Sequence, residues 1–251
     1  MKIQLLIILL ILAPVLIFSQ DSGESAKEIV RKANDLLRAN SSIAQVTMEI
    51  VKPDWSRKYS MKIWSLEPEY GLVLITSPAK DKGLVTLKRE QEVWNWIPAV
   101  QRMIKIPPSM MLQSWMGSDF TNDDLVRQSS VVDDYEHRIL EEEKLNEYTC
   151  YKLELIPKPE AGVVWGKILL WVSKDSYLEL KSEYYDEDGI LIKYMTGSNV
   201  RKMGDRIIPS RWEMIPVDKP GQKTVFEYED MKFNVKIDRA FFSEQNMKRV
   251  R

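Results

Sequence analysis

The segment RMIKIPPSMMLQSWMGSDFTNDDL, residues 102–125, is the stretch on which the interpretation of the whole chain depends. It lacks the alternation of apolar and polar residues that predicts strands elsewhere in the chain. Pro107 and Pro108 would end a strand, because proline cannot donate a hydrogen bond to a ladder. Ser109 stands where a helix N-cap belongs, and Gly117 where a helix C-cap belongs. The segment therefore predicts a short helical insertion in a β-protein.

This insertion is apolar and rich in methionine. Thr121, with Asp124 three residues later, resembles a capping box and predicts a second short helix. Methionine is flexible and polarisable, so the insertion suits a surface that accepts variable apolar shapes. The alternative is that the insertion caps one end of a sheet and contributes ordinary core. The apolar residues at helical spacing are Met110, Met111, Leu112, Trp115 and Met116.

The first twenty residues have the features of a secretory signal peptide. Lys2 precedes an apolar run that continues to Phe18, and a polar stretch begins at Ser19. This order predicts a cleaved leader, residues 1–20, followed by a single domain over residues 21–251. The alternative is a retained membrane anchor, although the run is near the lower length limit for a span and contains Pro14.

The composition excludes several functional classes. The chain has 36 basic and 37 acidic residues, so no basic excess indicates nucleic acid as a partner. Cys150 is the only cysteine, so an exported chain has no internal disulfide. One histidine and one cysteine are too few for a zinc site. Stability must come from burial, which 44% hydrophobic residues can supply.

A helix is predicted directly after the leader. Ser25 and Glu28 form a capping box, which predicts an N-terminus at this point. The helix would be about 15 residues long and end near Asn40. Its apolar stripe must lie against another element, most simply a sheet. The stripe consists of Ala26, Ile29, Val30, Ala33, Leu36 and Leu37.

Alternating segments separated by turn residues occupy most of the remaining chain. Residues 165–172 are apolar on both faces and predict a central strand. Asp188-Gly189 predicts a hairpin turn between two strands. About ten or eleven strands in meander order predict a mainly β (α+β) fold, with a single curved antiparallel sheet covered by the N-terminal helix and the insertion. The alternative is two β-domains divided near Ser129.

Catalytic motifs are weak in this sequence. His137 is the only histidine, and it lies in an alternating strand without a nucleophile motif nearby. Adjacent carboxylates in strands point to opposite faces, so they do not form dyads by spacing. Asp186-x-Asp188-Gly189 lacks the final glutamate of a calcium loop. We therefore predict that the protein is not an enzyme and has no cofactor or metal. A carboxylate pair assembled from distant strands stays open.

The distinctive feature of the sequence is its large number of tryptophans and methionines. Eight tryptophans and twelve methionines are many for a β-domain of this size. A curved sheet with few covering elements can enclose a cavity. We predict that an apolar cavity and its lid are formed by Trp94, Trp96, Met103, Met110, Met111, Leu112, Trp115, Met116, Trp171, Trp212 and Met214.

Residues 108–111 and 115–125, above all GSDFTNDDL, resemble the bacterial outer-membrane lipoprotein-sorting proteins of the LolA-like superfamily. The resemblance covers essentially all of the chain after the leader and is to the longer, less characterised branch. It implies a half-open β-barrel of about 11 strands, with helices as a lid over an apolar cavity. The short carriers use an arginine to hold the closed state, and Arg102 is the candidate here by position alone.

The resemblance implies periplasmic carriage of lipoprotein acyl chains or lipid, in outer-membrane lipoprotein sorting, by a monomer. A first alternative is a non-catalytic accessory module of an efflux-type (RND- or MMPL-like) transporter in the inner membrane. An envelope hydrolase is a second alternative, which requires an indispensable carboxylate or His137.

Overall fold

The structure is a computed structural model that describes residues 24–127 and 130–250. The predicted signal peptide, residues 1–20, lies outside the described residues. Within the described ranges, no helix combines the length and the apolar character needed to cross a bilayer.

Within the same ranges, thirteen strands form one antiparallel sheet, and three α-helices accompany it. The helices are α1 (Ala26–Leu37), α2 (Asn122–Arg127) and α3 (Glu244–Met247). The strands are β1 (Ser41–Lys52), β2 (Trp55–Leu66), β3 (Tyr70–Ser77), β4 (Val85–Arg89), β5 (Glu92–Ile97), β6 (Arg102–Lys105), β7 (Tyr135–Leu145), β8 (Tyr148–Pro157), β9 (Lys167–Ser173), β10 (Glu179–Tyr185), β11 (Leu191–Met203), β12 (Arg206–Pro216) and β13 (Lys223–Phe233).

The chain enters this sheet at its middle. The strand order is β6-β5-β4-β3-β2-β1-β13-β12-β11-β10-β9-β8-β7. The chain runs from β1 outward to the edge strand β6, passes through the insertion, and resumes at the opposite edge with β7. It then returns strand by strand until β13 pairs with β1. The two edges do not pair, so the sheet is open rather than closed.

The mainly β fold with a single antiparallel sheet is confirmed, but the strand number is thirteen rather than about eleven. Residues 102–105, which the sequence assigns to the insertion, form the edge strand β6 and pair with β5. This strand is too short to show a clear alternation, and Pro107 and Pro108 follow it at once. The predicted burial of β9 on both faces is confirmed, but β9 is an interior strand third from the β7 edge rather than a strand at the centre of the sheet.

Helix α1 is confirmed, together with its start. The Ser25 side chain accepts a hydrogen bond from the Glu28 amide at 3.2 Å, as the capping box predicts. The helix ends at Leu37, slightly earlier than predicted. Its buried residues pack with Leu153, Leu155 and Leu170 of β8 and β9, so the sheet covers the apolar stripe.

The prediction of a helix after Ser109 is wrong. Residues 108–110 form one 3₁₀ turn, and a reversal follows. Met116 (φ 54°) and Gly117 (φ 77°) both have left-handed backbone, which a helix cannot continue through. Ser114 then bridges Thr121 in antiparallel fashion. The second short helix is confirmed as α2, because Thr121 and Asp124 exchange the two hydrogen bonds of a capping box.

Candidate functional site

A cavity of about 250 Å³ lies between α1 and one face of the sheet, called here the inner face. Its volume is close to the lower end of the range of about 300–1,000 Å³ that is typical of ligand pockets. Val30 and Ala33 of α1 form one wall, and Ile168 and Leu170 of β9 lie with them in the same apolar cluster. Phe120, from the insertion, also lines the cavity.

The strand register shows that one wall of the cavity is built in two rows. In the first row Ala44, Ile63, Val73 and Thr86 are cross-strand neighbours on β1 to β4. Two residues along each strand lies a second row, which consists of Ser42, Ser65, Gly71 and Lys88. All eight residues line the cavity. The wall therefore changes from mainly apolar to polar along the strand direction.

The apolar part of the cavity continues onto the other half of the sheet. Met195 of β11, Trp212 of β12 and Phe226 of β13 line it. The rings of Phe120 and Phe226 pack edge to face, with their centroids 4.9 Å apart. This geometry is favourable for aromatic pairs and fixes the insertion against β13. Together these side chains form an apolar surface suited to hydrocarbon.

The polar part contains four charged residues, Arg38, Glu67, Lys88 and Glu179. Arg38 is the C-cap of α1, and Glu67 follows the end of β2. The charge of Arg38 acts on both Lys88 and Glu179, which places these three groups around one region. The Lys88 ammonium donates a hydrogen bond to the Pro68 carbonyl at 2.7 Å.

Burial raises the free energy of charged groups in this polar part. Burial lowers the pKa of Lys88 to about 8, with Glu67 opposing the shift and Arg38 adding to it. Burial likewise raises the pKa of Glu179, against the charge of Arg38 and a hydrogen bond with Ser182. The site is therefore a poorly solvated environment, in which electrostatic interactions are stronger than in water.

The insertion divides into an anchored part and an exposed part. Trp115 is 3% exposed, and its indole N–H donates to Thr86 Oγ1 at 3.2 Å. The Asp119 carboxylate accepts hydrogen bonds from Thr224 Oγ1 at 2.7 Å and from Gln222. By contrast, Leu112 is 63% exposed. Residues 114–124 are thus fixed to the sheet, whereas residues 107–110 and 112–113 are exposed.

A buried ion pair completes the anchored part. Lys193 Nζ lies 2.6 Å from Asp124 Oδ2, and their side chains are 5% and 10% exposed. The lysine ammonium also lies 5.0 Å from the centroid of the Trp165 ring. The most specific part of the resemblance, GSDFTNDDL, includes the two carboxylates of Asp119 and Asp124 that hold the insertion in place.

The predicted site residues fall in several places. Among the described residues, Trp212 is the member of the predicted set that lines the cavity, and Met214 lines a smaller one of about 40 Å³ beside Asp124. Trp115 is core, with Met116 packed against the same cluster. Met110 and Leu112 are exposed, and Met111 is half-buried.

Trp94, Trp96, Met103 and Trp171 lie on the opposite, outer face. Thr86 lines the cavity, so its neighbours on β4 face outward, and Trp94 and Trp96 pair with those neighbours. Met103 is the cross-strand partner of Trp96. Trp171 alternates with Leu170 and packs with Cys150 and Leu180.

Several lining residues escape the sequence interpretation because they are small or charged. Ser42, Ser65 and Gly71 carry little apolar surface, yet their lack of bulk leaves the space open. Their shared register is the signal that could have identified them. Arg102 is exposed on the edge strand, whereas Arg38 is the arginine that faces the cavity.

His137 and Cys150 lie in β7 and β8, respectively, and neither is among the residues lining the cavity. A ring nitrogen of His137 lies 2.8 Å from the Val131 carbonyl, and burial lowers the pKa of the imidazole. Burial raises the pKa of the Cys150 thiol to about 11, which disfavours the reactive thiolate. Among the described residues, no group of three or more His, Cys, Asp or Glu is arranged to hold a metal.

The open antiparallel sheet with α1 across its inner face places the chain in the LolA-like class, since solved structures of that class share the fold. The chain belongs to a family whose model, described as "Uncharacterized protein", matches residues 67–249. The resemblance to the LolA-like superfamily is confirmed by two solved structures. A search of curated proteins found no match.

The first of these structures is described as an outer membrane lipoprotein-sorting protein domain from Vibrio parahaemolyticus. It is 26% identical, with a TM-score of 0.77 over 89% of this chain and 98% of that chain. The second is a LolA superfamily protein from Nitrosomonas europaea, 26% identical, with a TM-score of 0.75 over 89% and 99%. A DUF1329 family protein from Desulfovibrio piger shares the fold, at 23% identity and a TM-score of 0.80 over 88% and 97%.

Proposed function

We propose that the protein is a periplasmic carrier that binds lipoprotein acyl chains or free lipid in the cavity, as part of outer-membrane lipoprotein sorting. The observation that carries the proposal is the cavity of about 250 Å³ beneath α1, with Met195, Trp212 and Phe226 as its apolar surface. The similarity to a lipoprotein-sorting domain and to a LolA superfamily protein supports the same role.

The energetics of such binding are favourable. Burial of hydrocarbon contributes about 0.8 kcal/mol per methylene, so ten methylenes contribute about 8 kcal/mol. A carrier must also release its cargo, which requires a second conformation within a few kcal/mol of the first. In this proposal the movable lid is residues 107–113, most of which are exposed, because they lie between β6, which pairs with β5, and the anchored residues 114–124.

The direct test is mass spectrometry of organic extracts from protein that has been purified without detergent, together with uptake of a fluorescent fatty acid. The proposal expects co-purified lipid and saturable uptake. A preparation that contains no lipid and takes up no fatty acid under any condition would contradict it.

A matched pair of variants connects uptake to the cavity. Val73 is a half-buried lining residue, so Val73→Trp would occupy the space and reduce uptake. Ile207 is 61% exposed and lies outside the cavity lining, so Ile207→Trp adds the same side chain without filling the cavity. Equal uptake by the two folded variants would place lipid binding elsewhere.

A second candidate function is a non-catalytic accessory module of a membrane transporter. The observation in its favour is a group of exposed apolar residues on and beside β6, namely Val100, Ile104, Met110 and Leu112. Crosslinking in cells discriminates between the two functions. A stoichiometric inner-membrane partner, with no lipid in the purified protein, favours the module.

A further inference from the structure

The cavity has a polar end and an apolar end, and their arrangement matches one kind of ligand. The row formed by Ser42, Ser65, Gly71 and Lys88 lies beside the mainly apolar row of Ala44, Ile63, Val73 and Thr86. A purely hydrocarbon ligand would leave the Ser42 and Ser65 hydroxyls of the polar row without partners, which has a free-energy cost. A ligand with a polar head and an apolar tail satisfies both rows.

The charges at the polar end indicate the sign of that head. Within the described residues, Arg38 makes no ion pair within 4 Å, although it faces the cavity. The hydrogen bond of Lys88 is to the Pro68 carbonyl rather than to a carboxylate. Two cations thus line one end of the cavity, and their mutual repulsion is relieved by an anion placed between them.

The two carboxylates at the same end oppose this sign, but less strongly. Glu67 counters the effect of Arg38 on Lys88. Burial shifts Glu179 towards its neutral form. Within the described residues, neither carboxylate lies within 4 Å of the Arg38 guanidinium or the Lys88 ammonium, so neither cation is neutralised by an ion pair.

We propose that the carrier's cargo is an amphiphile with an anionic head, a carboxylate or a phosphate, which lies between Arg38 and Lys88. Its tail packs against Met195, Trp212 and Phe226. This inference rests on the proposed function, since it identifies the chemical class of the lipid that the cavity holds.

The test compares four ligands with one chain length, decanoate, decyl phosphate, decanol and decylamine, by isothermal titration calorimetry on the folded protein at neutral pH. We expect decanoate and decyl phosphate to bind about tenfold or more tightly than decanol, since one charge-assisted contact supplies about 1.4 kcal/mol or more. Inorganic phosphate at the same concentration should not compete, because it lacks the tail.

Arg38→Gln and Lys88→Gln should each remove most of the preference for decanoate over decanol. Measurable decanol binding shows that each variant is folded. Arg102→Gln is the matched control, because Arg102 is exposed on β6 and does not line the cavity. It should keep the wild-type preference.

The outcomes separate the two proposals. Equal binding of decanoate and decanol, or tighter binding of decylamine, overturns the anionic head and leaves the lipid carrier intact. If inorganic phosphate competes with decanoate, the polar end is a simple anion site that does not require a tail, and the inference is also overturned. No binding of any decyl compound contradicts the carrier itself.

Discussion

The two faces of β1 to β4 are built from the same strands, yet one is packed and the other encloses a cavity. On the outer face Trp64, Leu72 and Leu87 pack against the C-terminal segment, in which Phe242 is 1% exposed. On the inner face the corresponding rows contain serine, glycine and alanine beneath α1. The cavity therefore results from small side chains under a cover, rather than from the lack of a cover.

The largest effect is expected on the outer face. Phe242→Ala should lower the free energy of unfolding by about 3–5 kcal/mol, because it creates a void in a packed apolar cluster. Urea unfolding measures this loss. Lipid affinity, measured on the folded fraction, should not change. A parallel loss of lipid affinity would show that the two faces are coupled.

The cover of the inner face depends on a buried ion pair in addition to apolar packing. Asp124→Asn should lower the free energy of unfolding by about 3 kcal/mol, because it leaves the buried Lys193 ammonium without its carboxylate. The double variant Asp124→Asn/Lys193→Met is expected to recover part of the loss. No recovery would show that the Thr121 cap, rather than the ion pair, accounts for the effect.

Two tryptophans test which face binds lipid. Trp212→Ala should weaken fatty-acid binding about tenfold, or about 1.4 kcal/mol, because it removes apolar surface from the cavity. Trp94→Ala removes the same side chain from the outer face and should leave binding unchanged. Titration of both variants with a fluorescent fatty acid measures the two affinities. Weaker binding by Trp94→Ala than by Trp212→Ala would show that lipid binds on the outer face.

A smaller effect is expected where side-chain bulk is added to the inner row. A Cβ at Gly71 would meet Lys88 Cβ at 3.7 Å, an ordinary contact. Gly71→Val should therefore raise the free energy of unfolding by about 0.5 kcal/mol, through the lower entropy of the unfolded chain and the strand preference of valine. It should also lower lipid affinity. A strongly destabilised variant would show that this row is already filled.

The smallest effect concerns pH. Lys88, whose pKa is lowered to about 8, loses its charge as the pH rises through that value. The preference for decanoate over decanol should therefore fall severalfold between about pH 7 and about pH 9. Lys88→Gln should abolish this fall. A preference that rises with pH in the wild type would contradict the role of Lys88.

Lys88 also affects the pH dependence of stability, which should rise with pH while the preference for decanoate falls. Its pKa is lower in the folded chain than in the unfolded chain, so the unfolded chain binds more protons between these values. The contribution of Lys88 to stability therefore rises with pH above about 8, until the unfolded-state pKa is reached. Urea unfolding of the wild type and Lys88→Gln across this range measures the difference.

Local signals in the sequence were sufficient where one residue pair determines an element. The capping boxes at Ser25 and Thr121 predict the starts of α1 and α2, and Asp188-Gly189 predicts the turn between β10 and β11. The prediction of a helix after Ser109 was wrong because Met116 and Gly117 adopt a left-handed backbone conformation. The Ser118 hydroxyl stabilises this reversal by donating to the Trp115 carbonyl at 2.7 Å.

The site was harder to predict than the fold, for a physical reason. Alternation assigns residues to two faces but does not identify the inner one when both faces are buried, as they are in β9. Trp94 and Trp96 share a face because they are two residues apart in β5, yet that face is the outer one rather than the predicted cavity face. The prediction selected residues with large apolar side chains, whereas the cavity exists because residues such as Ser42 and Gly71 have small ones.

The pairing of β1 with β13 has a consequence for the order of assembly. Cross-strand neighbours Ala44 and Met231 sit on either side of this seam, and both contribute to the wall of the cavity. The strands that meet there come from the start and the end of the sheet's chain order. The wall of the cavity is therefore incomplete until the last strand of the sheet has paired with the first.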